Sequence, residues 1–215
     1  MFSKLLTAIT LITATGFLSA NDFQTDFNSE KIPGMKIIRR ASVDEGFLMA
    51  ENGAEVQFDL KSAIPYKIKI RFCVEEILES KHPPYFAITL HGKDNTEGCF
   101  MFREKNIEHF LYKNKKRKYG YGGYSECKIV PGQWLTVELN VMKNFVQISR
   151  DGQVIGTGKY SGLIPLEKIS FKLYNTVVKI DDLSLEQLKE TVIKTEKNPV
   201  VKLDFNTGVN GIDEK

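Results

Sequence analysis

The chain has 215 residues, 42% of them hydrophobic, which suits one domain with a sizeable core and excludes a disordered chain. Its 30 Lys and Arg against 27 Asp and Glu leave a net charge of +3, too nearly balanced for a general nucleic-acid binder. The three cysteines form no Cys-x-x-Cys or His/Cys cluster, so the spacing of a zinc site is absent.

Residues 1–20 read as a signal peptide. Lys4 supplies the positive end, the stretch 5–17 is apolar but short for a membrane span, and Leu18-Ser19-Ala20 ends in a small residue. The expectation is a periplasmic or extracellular protein with no membrane span after cleavage and no nucleic-acid partner. A retained N-terminal anchor is the alternative.

Strand signals follow in order. Residues 22–27 make a first strand, and 35–40 and 47–51 flank an Asp44-Glu45-Gly46 turn. Asn52-Gly53 reads as another hairpin turn, with 54–60 after it. Tyr66, Ile68, Ile70, Phe72 and Val74 alternate with Lys67, Lys69, Arg71, Cys73 and Glu75, the pattern of a half-buried strand. His82-Pro83-Pro84 interrupts. Phe86, Ile88 and Leu90 then face one way, with Thr89 and His91 facing the other. Phe100 and Phe102 mark the next strand, and 107–112 another.

The most regular stretch is 132–185. Leu135, Val137, Leu139 and Val141 alternate strictly; Lys143-Asn144 precedes a strand at 145–150; Asp151-Gly152 is a hairpin dipeptide. Ile169, Phe171 and Leu173 share one parity. Val178 and Ile180 share another, but Leu183 and Leu185 switch, so a bulge or strand end is expected at Asp181-Asp182. Many short strands with regular turns and hardly any helical period predict an all-β, two-sheet antiparallel jelly-roll sandwich over 21–187. Residues 188–215 read as a short helix or linker, broken by Pro199. Within them Asp204-Phe205-Asn206-Thr207 echoes Asp26-Phe27-Asn28-Ser29, either the start of a second module or a chance recurrence.

Gly132, Trp134, Val146, Ile148, Asp151, Gly152, Ile169, Phe171, Ile180, Asp181 and Asp182 together resemble the C-terminal half of concanavalin A-like lectin/glucanase jelly rolls. Laminin-G-like and 3-keto-disaccharide hydrolase domains are the nearest relatives suggested. The resemblance rests on scaffold residues and implies the fold more than an activity. It also implies that a concave sheet face holds ligand.

Two sets of residues are candidates for that role. The first is the segment 113–124, KNKKRKYGYGGY, with Tyr112 just before it. Tyr119, Tyr121 and Tyr124 offer flat faces with a hydroxyl, suited to stacking on sugar rings, and the cations suit anionic glycans. The second is the polar parity of the central strands: Arg71, Glu75, Thr89, His91, Arg103 and His109. Either set is equally read as an ordinary solvated surface.

Paired carboxylates suit glycoside hydrolysis, and Glu75 with Glu97 is the pair to test. The E-x-D-x-x-E and E-x-D-x-E signatures of the glucanases are absent. No cofactor is expected. Calcium has only the turn Asp94-Asn95-Thr96-Glu97-Gly98 in its favour, which also reads as a turn held by its own side chains. Trp134 is expected in the core. Cys73 and Cys99 share the non-core parity and could meet across a sheet; Cys127 lies in a loop, and three free thiols are the alternative. There is no Ser-His-Asp ordering, no G-x-S-x-G elbow and no phosphate loop.

The expected function is therefore an exported module binding carbohydrate or another cell-surface ligand. The alternatives are a glycoside hydrolase of the 3-keto-disaccharide type and a structural or adhesion domain.

Overall fold

A computed structural model describes residues 22–29 and 31–188. The expected signal peptide and all but Leu188 of the expected linker and second module lie outside these residues. The strands are β1 (Phe23–Thr25), β2 (Met35–Asp44), β3 (Phe47–Phe58), β4 (Tyr66–Ile77), β5 (Tyr85–Gly92), β6 (Thr96–Phe102), β7 (Asn106–Lys113), β8 (Lys116–Arg117), β9 (Gly123–Glu126), β10 (Trp134–Val141), β11 (Phe145–Arg150), β12 (Gln153–Lys159), β13 (Leu166–Tyr174) and β14 (Thr176–Gln187). Every pairing is antiparallel, and no helix occurs among the described residues.

One ladder, β12-β11-β10-β4-β14-β3-β13-β5-β6-β7-β8, is bent into two layers. The first layer holds β12, β11, β10, β4 and β14. The second holds β13, β5, β6 and β7, with β9 also on β7. Strand β3 belongs to both: Leu48–Ala50 pair with β14, and Glu55–Phe58 pair with β13. This corrects one turn expected from the sequence. Asn52-Gly53 is no hairpin but the bend inside β3 where the strand passes from one layer to the other, with Gly53 at φ 79°. Asn175, at φ 52°, makes the matching break between β13 and β14.

The two breaks are fastened together. Asn175 N–H donates to Asn52 Oδ1 at 2.8 Å, and Leu78 N–H donates to Asn175 O at 2.9 Å. Thr176 Oγ1 donates to Tyr85 O at 3.2 Å. From this corner β4 follows β14 and β5 follows β13, so the layers diverge and then fold face to face.

Between them lies the core that the alternation predicts. Phe72 from the first layer meets Phe86 and Phe102 from the second at ring distances of 4.9 and 5.3 Å. Leu135, Val137, Leu139 and Val141 of β10 all point inward. The switch in parity at the end of the chain is a bulge, as expected: Ile180 sits opposite Phe72 and Asp182 opposite Arg71, so Asp181 has no cross-strand partner. Both Leu183 and Leu185 thereby stay buried.

The free edges of the two layers come together on the far side. Gly122 N–H donates to Lys159 O at 3.3 Å. A Cβ on Gly156 would lie 1.9 Å from Ser125 Oγ, so only glycine lets β12 approach β9 this closely. Among the described residues strand β2 pairs only with β3, and that pairing slips at Ile37/Arg39 and Arg39/Ala41.

The cysteines do not meet. Cys73 faces outward from the first layer and Cys99 from the second, and all three cysteines are free. Cys127 follows β9 and is buried.

Asn52→Ala should destabilise the domain by about 1–3 kcal/mol, because it leaves the nearly buried Asn175 N–H without an acceptor. Urea unfolding of the variant against the parent chain checks this.

Candidate functional site

The polar residues singled out from the sequence divide between two opposite surfaces. Arg71 and Glu75 stand on the outer face of the first layer. There Arg71 pairs with Asp181 and lies 4.7 Å over the Trp134 ring. Glu75 pairs with Lys179 at 3.3 Å, and Lys179 also lies over Phe47. Trp134 is thus not a core residue: it has the parity opposite to Leu135 and stacks against Phe47 at 5.7 Å on the outside. Glu75 and Glu97 belong to different layers and face away from each other, so they cannot form a catalytic pair.

His91, Arg103, Tyr112 and Tyr124 share the outer face of the second layer, and Thr89 stands with them. The pairing register sets this out in rows. One row is Lys168–His91–Glu97–Tyr112–Arg117, the next Ser170–Thr89–Cys99–Phe110, and the third Lys172–Ala87–Met101–Glu108–Tyr124. Tyr174 beside Tyr85 begins a fourth. Ser170, Thr89 and Ala87 point outward yet are at most 9% exposed. Small side chains here form a floor, shaded by the taller residues around them.

Each end of this floor carries a hollow of about 280 Å³. One is lined by His82, Pro83, Tyr85, Arg103 and Tyr174, the other by Asn95, Glu97, Asn114 and Lys115. In the first, Tyr85 and Tyr174 stack at 5.7 Å with their planes 22° apart, and the Arg103 guanidinium lies 5.9 Å from the Tyr85 ring. Sequence reading missed this pair. Its signal was present: Tyr85 has the parity of Thr89 and His91, and Tyr174 that of Lys172.

The end of the face away from the tyrosine pair holds a polar chain. His91 Nε2 lies 2.8 Å from Ser170 Oγ, and His91 Nδ1 lies 3.3 Å from Glu97 Oε1. The three residues sit on adjacent strands β13, β5 and β6 but are remote in sequence, so no local motif announces them. Burial, aided by Lys168 and Lys172, holds the imidazole pKa below its usual value against the opposing pull of Glu97. The carboxylate beside Nδ1 favours the tautomer with Nδ1–H aimed at Glu97, which leaves Nε2 facing the serine hydroxyl.

Four carboxylates share the parity of this face: Glu55, Glu97, Glu108 and Glu126. Glu55 meets Lys172 and Arg39, both at 3.4 Å; Glu97 meets His91; Glu108 lies 2.9 Å from Arg103 Nε and accepts from Tyr124 OH at 3.2 Å. These three stand on β3, β6 and β7, and from strand spacing and rise their backbones are separated by roughly 14–19 Å. Glu126, on β9, is the diagonal neighbour of Glu108, with its backbone roughly 7–8 Å away. Paired-carboxylate hydrolysis wants about 5–9.5 Å between carboxyl groups.

The Lys/Tyr segment is partly a strand. Lys116 and Arg117 form β8, and Arg117 lies 3.8 Å over the Phe110 ring. Tyr119 is 87% exposed in the following turn, and Tyr124 is 68% exposed on the face itself. Tyr121 instead packs on the core beneath Lys159, at the seam. The turn 94–98 is the β5–β6 hairpin, with Asp94 and Asn95 at positive φ. No group of three or more His, Cys, Asp and Glu suited to a metal occurs among the described residues.

His109 is a further correction: it points inward. It packs against both Phe100 and Tyr160, which also stack on each other at 5.5 Å, and its Nδ1 lies 3.1 Å from Tyr160 OH. The central strands' apolar parity was misjudged here, because a bulky polar ring replaces the expected aliphatic side chain between Ile107 and Leu111.

No family model and no curated protein matches this chain. Solved structures do. A Crh5 transglycosylase aligns over 80% of this chain and 86% of its own, at 14% identity and a TM-score of 0.64. A Bacillus licheniformis β-glucanase aligns over 79% of this chain and all of its own, at 10% identity and 0.63. A carbohydrate-binding module from Bacillus subtilis covers 73% of this chain and 98% of its own, at 8% identity and 0.56. The likeness is one of fold. It places the architecture among the glucanase and transglycosylase jelly rolls, and no described helix is long and apolar enough to cross a membrane.

Burial pushes the His109 pKa down from 6.5 to about 4. Protons therefore bind the unfolded chain first, and the stability present above pH 6.5 should fall by about 3 kcal/mol as pH drops towards 4. His109→Phe should flatten that part of a stability–pH curve measured by urea unfolding.

Proposed function

We propose that the chain is an exported carbohydrate-binding module that takes its ligand on the outer face of the second layer. The observation that carries this is the Tyr85–Tyr174 stack beside Arg103 and His82, lining a hollow at one end of the face. Two nearly parallel, stacked phenol rings offer an aromatic face with hydroxyls beside it. That suits the C–H face of a pyranose while its hydroxyls are hydrogen-bonded from the side. From Tyr85 to His91 the floor runs roughly 20 Å along β5, room for several sugar units in a row. The solved structures similar in fold include glucan-cleaving enzymes and a carbohydrate-binding module, which supports the same reading. Export rests on the apolar N-terminal segment of the sequence.

Glycoside cleavage of the 3-keto-disaccharide hydrolase type is the weaker reading. Glu55, Glu97 and Glu108 are far apart and each is held by a basic side chain, and in the one diagonal pair, Glu108 with Glu126, Glu108 is already taken up by Arg103 and Tyr124, which disfavours the paired-carboxylate mechanism.

Titration calorimetry against neutral and anionic polysaccharides tests the proposal. Tyr85→Ala and Tyr174→Ala should each weaken binding about tenfold or more, some 1.4 kcal/mol per decade. Trp134→Ala, on the opposite layer, should leave it unchanged. Failure to bind any polysaccharide, or equal losses from both layers, would refute it.

A further inference from the structure

The binding reading makes no use of the most ordered group on the face. Glu97, His91 and Ser170 form a chain of carboxylate, imidazole and hydroxyl at 3.3 and 2.8 Å. This is the arrangement by which a base activates a hydroxyl nucleophile and a third group orients the base. Order along the sequence is immaterial to it; geometry decides. The strands themselves hold it rigid. Glu97 lies directly opposite His91 on β6, and Ser170 lies opposite Thr89 on β13, so the ring reaches diagonally to the serine.

A fourth group completes the set. Lys168 is directly opposite His91 and shares the parity of Ser170 two residues along. The backbone amides around Ser170 are committed to the ladders with β3 and β5. Charge developing on a carbonyl oxygen would therefore be met by the Lys168 ammonium rather than by main-chain N–H groups.

We propose that Glu97, His91 and Ser170 form an acyl-transfer centre that removes small ester groups, such as acetyl, from glycan hydroxyls. The glycan part rests on the binding reading above; the ester chemistry does not. Ser170 Oγ attacks the ester carbonyl carbon while His91 Nε2 takes the hydroxyl proton. The tetrahedral oxyanion faces Lys168. Collapse breaks the bond to the sugar oxygen, which leaves with the proton from His91. Water then attacks the acyl-serine, giving a proton to His91, and Ser170 leaves with that proton as the carboxylic acid departs. Nothing is oxidised or reduced. Ser170 is 1% exposed, so only a small acyl group, displacing the flexible side chains of Lys168 or Lys172, can reach it. That size limit is why acetyl is expected and longer acyl chains are not.

The test uses the whole chain with p-nitrophenyl acetate as substrate and a fluorophosphonate as label. The expected results are hydrolysis about 100-fold or more above that of Ser170→Ala, and a fluorophosphonate adduct mapped by mass spectrometry to Ser170 in the unmodified sequence. Glu97→Gln should lower kcat about tenfold or more with KM unchanged, as a positioning residue acting through His91. Absence of the adduct, or a rate equal in the parent and Ser170→Ala, overturns the proposal even where a variant folds poorly, because the label reads the parent protein. Hydrolysis and labelling without any glycan binding would support acyl transfer and refute the sugar; the reverse would refute acyl transfer alone.

Discussion

The double break at Asn52 and Asn175 is the constraint on which the two-layer arrangement turns. A single antiparallel pairing of β3 with β13 and β14 would run on as one twisted sheet. Instead each partner interrupts its pairing at one asparagine, and the Asn52 side chain accepts the N–H that the break at Asn175 sets free. Asn175 adopts a backbone conformation that few residues other than glycine take readily, and its freed N–H is returned to a side chain rather than to solvent. Once the bend is fixed, β4 and β5 must part company, and the aromatic side chains of Phe72, Phe86 and Phe102 close over one another between the layers.

That geometry explains why two surfaces of similar composition differ in character. Outward side chains of the first layer are taken up in neighbouring pairs, Arg71 with Asp181 and Lys179 with Glu75, and these lie against Trp134 and Phe47. The bulge that frees Asp181 from the ladder is what lets it meet Arg71. The second layer has small residues along its centre and rings at its ends. Its charged groups bridge strands while leaving the floor low, and the histidine near its end is held by partners on both sides.

Most of the fold was legible because period-2 alternation reports directly on burial. Tyr66 to Val74, Leu135 to Val141 and the parity switch at Asp181-Asp182 all stand as the pattern implied. Asn52-Gly53 did not, since the same dipeptide serves a reversal and a layer change, and only the continuation of pairing on β13 separates them. The site was legible by halves. Parity placed Thr89, His91 and Arg103 outward, yet parity is local and cannot say which layer a strand joins, so Arg71 and Glu75 were grouped with residues on the far side. Trp134 and His109 exchange the places that side-chain chemistry alone would give them. Ser170 stands 79 positions from His91 and is brought to it by pairing that no short motif encodes.

Closure of the seam at Gly156 and Gly122 leaves β2 as a long open rim. A straight edge of that length would template the addition of strands from other molecules and so favour fibrous association. Two slips in its register spoil the repeat that an incoming strand would need, and Lys36, Arg39 and Arg40 set like charges along it. The irregularity of β2 thus blunts the longest edge left without glycine-mediated closure among the described strands.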